Sequence, residues 1–165
     1  MIELQIKHTK EFMAKLLGGT LFEDFLLEEA TIETFNTFNI DGHIHKEFYG
    51  QQLKDDPSLC PYPLSCWQDV QQIAFNLIKG KHTPLSFKFI LHLKPDKAAA
   101  IFNESEQGQE PVADYVIRIS FSDGSIKITT GISFKVFSLD NSGALLWDDQ
   151  VKKFLDAQNI EFEEL

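Results

Sequence analysis

The segment from Asp114 to Leu139 constrains the fold more than any other part of the chain. Apolar and polar residues alternate from Tyr115 to Phe121, Asp123-Gly124 follows, and the alternation resumes at Ile126. Asp tolerates and Gly freely adopts positive φ, so this dipeptide is typical of a tight turn between antiparallel strands. Gly131 would then allow a third strand that extends to residue 139. The segment predicts an antiparallel meander with one buried face.

Apolar residues at period two predict strands, and apolar residues at a period of about 3.6 predict helices; these two patterns assign most of the remaining chain. The mixture predicts a single α+β domain over residues 1–165, with antiparallel sheets and helices on one side. The strands are expected at residues 2–6, across 25–49 with a second hairpin turn at Asp41-Gly42, and at 85–93. The helices are expected near residues 10–17, 65–79, 96–102 and 143–158, and residues 160–165 form either a short strand or an acidic tail.

The order strand, short helix, three-strand meander occurs twice, at about residues 1–49 and 85–139. The helix at 65–79 joins these two βαβββ units, and Asp41-Gly42 and Asp123-Gly124 fall at corresponding turns. In its element order the chain resembles one domain of the sliding-clamp processivity factors. That resemblance implies a clamp-like, pseudo-twofold arrangement, and the alternative is a single ferredoxin-like layer.

Three short segments carry a second resemblance. TFNIDG at 37–42, KGKHTP at 79–84 and ALLWD at 144–148 are similar to a family of small bacterial proteins known only as a domain of unknown function. The likeness covers the whole chain. It implies a cytoplasmic single-domain protein and brings no catalytic residue, cofactor or activity with it.

Charge argues against a nucleic-acid partner. The formal net charge is -10, and Arg118 is the single arginine among fifteen cationic residues. Polyanions are repelled by such a balance, and the guanidinium fork that best binds phosphate is nearly absent. Sliding clamps line their channel with basic helices, whereas the first helix here places Glu11 among its lysines. A locally basic patch that we interpret as a solvated face comprises Lys79, Lys81, Lys88 and Lys94.

The best metal candidates are His43 and His45. They are two positions apart, so on a strand both imidazoles leave the same face, and Asp41 or Glu47 would add a carboxylate. No third ligand is fixed by spacing, so we predict that no metal and no cofactor is bound. The sequence leaves open whether this pair is approached in space by His82 or His92.

No motif in the chain predicts catalysis. Gly80-Lys81 lacks the upstream glycine of a phosphate-binding loop, and Gly131-Ile132-Ser133 lacks the closing glycine of a nucleophile elbow. An acidic cluster would be the remaining source of an acid–base pair, but we interpret it as the outward face of an edge strand. Its members are Glu23, Asp24, Glu28, Glu29 and Glu33. The enzyme hypothesis stays open, although the absence of such motifs favours a non-catalytic protein.

The two cysteines and the N-terminal segment bear on location. Cys60 and Cys66 match neither a redox motif nor a zinc set, so we predict two reduced thiols. The first residues have neither a basic region nor a long apolar run, and no membrane-spanning segment is predicted. These features favour a cytoplasmic protein.

Aromatic content gives the one positive indication of function. Fifteen Phe residues, together with exposed strand edges expected around Phe35 to Phe48, favour a non-catalytic protein that acts through protein contacts or self-association. Two alternatives come from other classes. One is a small metal-dependent or hydrolytic enzyme, and the other is a clamp-like nucleic-acid accessory protein.

Overall fold

The fold is that of a computed structural model, which describes residues 1–103, 113–134 and 141–165. Its strands are β1 (Glu3–Ile6), β2 (Phe25–Glu33), β3 (Thr37–Asp41), β4 (Ser65–Cys66), β5 (Ser86–Leu93), β6 (Ala113–Ser122), β7 (Ser125–Phe134) and β8 (Phe162–Glu164). Its α-helices are α1 (Thr9–Gly18), α2 (Gln52–Asp55), α3 (Trp67–Ile78), α4 (Pro95–Asn103) and α5 (Ser142–Ala157).

These strands form one eight-stranded sheet in the order β3-β2-β5-β6-β7-β1-β8, with β4 paired to β2. Every strand pair in the described residues is antiparallel. The α+β prediction is confirmed, although one sheet takes the place of the several that we expected. A ferredoxin-like layer has four strands, so that alternative is wrong.

One face of the sheet is buried and the other is open. Along β5, Phe87, Phe89, Leu91 and Leu93 are buried, while the residues between them are half-buried. The α3 residue Trp67 packs on this buried face, with its ring centroid 5.0 Å from that of Phe89. Helices α1, α3 and α5 all contribute to the same hydrophobic core, which agrees with the predicted placement of helices on one side.

The β6–β7 hairpin follows the prediction up to its second strand. Asp123 and Gly124 have φ of 50° and 77°, the positive values that a two-residue hairpin turn requires. The third strand is not separated from the second at Gly131 as predicted, because β7 continues through Gly131 to Phe134 with unbroken pairing to β6. The rest of the expected third strand, residues 135–140, lies outside the described residues.

The second predicted hairpin turn is also wrong. Strands β2 and β3 are joined at Thr34–Asn36, where the Thr34 N–H donates to the Asn36 carbonyl at 2.9 Å. Gly42 instead donates to the Glu28 carbonyl at 2.8 Å, and a Cβ on Gly42 would lie 1.8 Å from the carbonyl oxygen of Leu27. Glycine is therefore required here for close backbone approach rather than for a turn.

This difference changes the predicted repeat. The first unit contains β1, α1, β2 and β3, and the strand expected at residues 43–49 is replaced by a single bridge at His43 and a 3₁₀ turn at Lys46–Phe48. Its Asp41-Gly42 does not correspond to Asp123-Gly124. The order strand-helix-strand-strand recurs as β5, α4, β6 and β7. The two-unit organisation stays a prediction, and the sliding-clamp resemblance is not confirmed.

Helices α1, α3, α4 and α5 begin and end within two residues of their predicted positions, whereas the sequence does not predict α2. α3 starts at Trp67 rather than Ser65, because Ser65 and Cys66 pair with Leu27 and Leu26 of β2. Residues 160–165 include the short strand β8, which pairs with β1 and forms the edge of the sheet opposite β3. Among the helices that the structure describes, none has the length and apolar character needed to cross a membrane.

Candidate protein-binding surface

The two edges of the sheet differ in their openness to pairing. β3 has β2 as its neighbour and β8 has β1, so each leaves backbone N–H and C=O groups on its outer side. β8 is three residues long and carries Glu163 and Glu164, features that discourage edge pairing. β3 is five residues long, and its one charged side chain, Asp41, accepts hydrogen bonds from His43. By both its length and its charge, the β3 edge is therefore less protected against pairing with another strand than the β8 edge.

A pocket of about 610 Å³ lies beside the beginning of β3. It is lined by the β2–β3 turn, by the end of α3 and by the segment 79–85. Phe35 and Phe38 pack edge to face at its rim, with ring centroids 5.8 Å apart. Phe35 is 86% exposed and Leu85 is 72% exposed, so large apolar side chains face solvent here. Exposed apolar groups that are contiguous rather than scattered are typical of interaction sites.

The polar groups of this pocket are mostly cationic. Lys79, Lys81 and His82 line it and are exposed. Neither lysine forms an ion pair with a described residue, and Lys79 lies over the Phe75 ring at 5.8 Å from its centroid. Thr34 adds a buried hydroxyl that has no hydrogen-bond partner among the described residues. We call β3, Phe35 and the pocket-lining segment 79–85 the β3 surface.

The predicted basic patch is divided by the fold. Lys79 and Lys81 belong to the β3 surface, but Lys88 lies on the open sheet face, where its Nζ is 3.2 Å from Glu29. Lys94 lies over the ring of Tyr62, 5.8 Å from its centroid. Arg118 is exposed on the open face and has no ion pair with a described residue. The four lysines therefore do not form one continuous surface.

The metal candidates His43 and His45 line the same pocket, together with Glu47. His43 Nδ1 lies 2.6 Å from Asp41, and His45 Nδ1 lies 3.7 Å from Glu47. His82 lines the β3 surface, whereas His92 bonds Glu28 across β2 and β5. The described residues contain no group of three or more His, Cys, Asp or Glu placed to hold a metal ion.

The pKa of the Asp41 carboxyl is lowered by its contacts with His43. The backbone N–H of His43 donates to its Oδ1 at 3.0 Å, and the His43 ring bonds the same oxygen. These hydrogen bonds, the backbone one first, lower the pKa of Asp41 below its usual 3.8. The arrangement is a local turn that fixes the end of β3, with His43 already engaged.

The carboxylates of the acidic cluster are dispersed among different partners. β2 lies between β3 and β5, so our interpretation of these residues as the face of an edge strand is wrong. Each carboxylate has its own partner elsewhere in the fold. The contacts are Glu23 with Gln68 at 3.4 Å, Asp24 with Lys97 at 3.7 Å, Glu28 with His92, Glu29 with Lys88 at 3.2 Å and Glu33 with Ser86 at 2.7 Å.

The two cysteines are free thiols, as predicted. Burial raises the pKa of the Cys66 thiol above its usual 9.0. A raised pKa reduces the thiolate fraction at neutral pH, which is the opposite of what a nucleophilic cysteine needs.

A family model for DUF5721, a family of unknown function, matches residues 15–163. The chain belongs to this family. The predicted membership in a family without an assigned function is thereby confirmed. No match was found among curated proteins or among solved structures. For this DUF5721 protein, functional inference therefore rests on the geometry of its own residues.

Sequence reasoning found part of the β3 surface in this DUF5721 chain. The aromatic residues between 35 and 48 point to Phe35, and the local positive charge points to Lys79 and Lys81. The sequence does not indicate that these residues lie close together, because the turn at 34–36 and the segment 79–85 are distant in sequence. An exposed Leu85 directly after Pro84 offers only a weak signal, because the same residue suits the start of a strand.

Proposed function

We propose that this chain is a non-catalytic protein-binding module, and that its β3 surface takes an extended segment of a partner protein. The observation that carries the proposal is the unprotected β3 edge beside an exposed aromatic pocket. In β-strand addition, backbone hydrogen bonds to an edge supply affinity, and neighbouring pockets select side chains. β3 and its pocket offer both parts.

Charge complementarity defines the partner. The chain carries a net charge of -10, yet Lys79, Lys81 and His82 are the charged or titratable groups that line this pocket. An apolar side chain would enter between Phe35 and Leu85, and a neighbouring carboxylate would meet the lysines. The expected ligand is therefore an extended segment that contains both apolar and acidic residues.

A peptide library displayed on phage tests this proposal directly. Selection on the untagged chain should enrich peptides that combine aliphatic or aromatic residues with Asp or Glu. Phe35→Glu and Lys81→Glu should each weaken binding of such a peptide at least tenfold. The matched controls are Leu145→Glu on α5 and Lys54→Glu on α2, whose side chains are also exposed, and they should bind within twofold of the wild type.

Two results would contradict the proposal. One is enrichment of peptides without acidic residues, and the other is binding that neither β3-surface variant changes. Sedimentation velocity separates a foreign partner from self-association, the other form of protein contact that we considered. A reversible dimer that Phe35→Glu abolishes would make a second copy the occupant of β3.

The two rival classes receive less support from the described residues. A metal-dependent or hydrolytic enzyme would need His43 and His45 together with a third ligand or an acid–base pair. Among the described residues, no group of three or more His, Cys, Asp or Glu is placed to hold a metal ion. A nucleic-acid accessory role would show binding that falls steeply with salt. We expect no such binding, and we place the module in the cytoplasm, where free thiols persist.

A further inference from the structure

A second concave site lies between α4, α5 and the sheet. This α4–α5 chamber has a volume of about 420 Å³ and shares no lining residue with the β3 surface. Its walls are ring faces and branched aliphatic side chains, which include Phe25, Leu93, Trp147 and Phe154. Protein interiors are close-packed, so a space of this size between packed layers has the dimensions of a ligand site.

The chamber wall excludes polar ligands. Phe25, Ile117 and Ile128 are buried apolar residues at its base, and none offers a hydrogen bond to a ligand through its side chain. Sugars, nucleotides and free amino acids would lose their hydration there without compensation. The body of the occupant must therefore be a hydrocarbon.

The polar groups lie where α4 and α5 meet solvent. Lys97 Nζ is 3.7 Å from Asp24, longer than a charge-assisted hydrogen bond, so its ammonium retains free donors. The side-chain amide of Gln150 has no hydrogen-bond partner among the described residues. Lys153 also lines the chamber, although its Nζ is bound to Asp149 at 2.7 Å. The lining therefore carries two cations, one carboxylate (Asp24) and an amide donor, and its net positive charge suits a single anionic head.

We propose that the α4–α5 chamber binds a fatty acid, with its acyl chain against Trp147 and Phe25 and its carboxylate at Lys97 and Gln150. This proposal is independent of the β3 surface. Each methylene buried against the apolar wall should strengthen binding, so that two added methylenes raise affinity roughly tenfold.

Isothermal titration calorimetry with dodecanoate, below its micelle concentration, tests the proposal on the full chain. We expect saturable binding of one dodecanoate per chain and roughly tenfold weaker binding of decanoate. The matched ligand is dodecyltrimethylammonium, which has the same tail and the opposite charge. Non-specific adsorption to a chain of net charge -10 would favour this cation, whereas the chamber should favour dodecanoate at least tenfold.

Variants locate the binding. Ala100 lines the chamber from an exposed position, so Ala100→Phe should obstruct it while the fold is retained. Lys97→Glu should weaken dodecanoate binding at least tenfold, and Lys54→Glu, an exposed lysine on α2, should change it less than twofold. Phe35→Glu on the β3 surface should leave it unchanged.

The outcomes that overturn the proposal are equally specific. They are absence of saturable binding, equal affinity for the cationic analogue, or affinity that Ala100→Phe and Lys97→Glu both leave intact. If Ala100→Phe proved unfolded by near-ultraviolet circular dichroism, the exposed Lys97→Glu substitution would decide the result.

Discussion

Thr130 of β7 and Asp148 of α5 form a buried polar contact between the sheet and a helix. The Thr130 hydroxyl donates to the Asp148 carboxylate and accepts a hydrogen bond from the Ile2 N–H at 2.9 Å. Thr130 is 1% exposed and Asp148 is 7% exposed, and they are the buried polar residues of the part of the chain that the structure describes. One hydroxyl therefore links the first residues, the sheet and α5.

Thr130→Val should destabilise the fold, because it keeps the side-chain shape and removes the hydroxyl. The Ile2 N–H would lose its acceptor and Asp148 would lose a donor, at a cost of about 1–3 kcal/mol. Urea denaturation at pH 7 measures the loss. Thr129→Val is the matched control, since Thr129 is half-buried on the opposite face, and it should change stability by less than about 0.5 kcal/mol. Equal effects of the two substitutions would contradict this account.

Gly42→Ala should be among the most damaging single-methyl additions to this chain. Its Cβ would lie 1.8 Å from the Leu27 carbonyl oxygen and 3.1 Å from that of Glu28, and both are backbone atoms that cannot rotate away. The expected loss is about 3 kcal/mol or more. Gly131→Ala, in β7, meets no atom within 4 Å and should stabilise by about 0.5–1 kcal/mol. Thermal denaturation of both variants tests the contrast, and a well-folded Gly42→Ala protein would refute it.

The pKa of Asp41 should lie below 3.8, chiefly because the His43 N–H donates to its carboxylate. A depressed folded-state pKa gives stability that is present above the unfolded value of 3.8 and is lost as pH falls through the folded pKa. Carbon-detected NMR titration measures this midpoint. His43→Ala retains the backbone donor and should recover only the smaller part of the shift. A midpoint at or above 3.8 in the wild type would show that the turn does not stabilise the carboxylate.

His43 and His45 should bind no metal at physiological concentration. His43 Nδ1 is held by Asp41 at 2.6 Å, and the described residues offer no cluster that completes a ligand set. Elemental analysis of protein purified without a histidine tag measures metal content. A stoichiometric transition metal that disappears in His43→Ala or His45→Ala would overturn the prediction and support the enzyme hypothesis.

The sequence predicts what local chemistry determines. Asp123-Gly124 forms a hairpin turn because alternating apolar residues flank it on both sides, and the pattern is complete within about twenty residues. The same dipeptide at Asp41-Gly42 has another role, since Gly42 is required by the approach of Leu27, which the sequence does not reveal. The β3 surface and the α4–α5 chamber combine distant segments, so their composition was visible but their assembly was not.

The thiol of Cys66 should be less reactive than an ordinary cysteine, because burial raises its pKa above 9.0. In a Cys60→Ser background, the rate of iodoacetamide modification should therefore rise with pH and reach its midpoint above 9.0. Two neighbouring charges act in opposite directions, since Lys94 lowers the pKa of Cys66 and Asp69 raises it. Lys94→Ala should move the midpoint up and Asp69→Asn should move it down. Midpoints that do not respond to either substitution would leave burial as the sole cause, and a midpoint at or below 9.0 would contradict the effect of burial on this thiol.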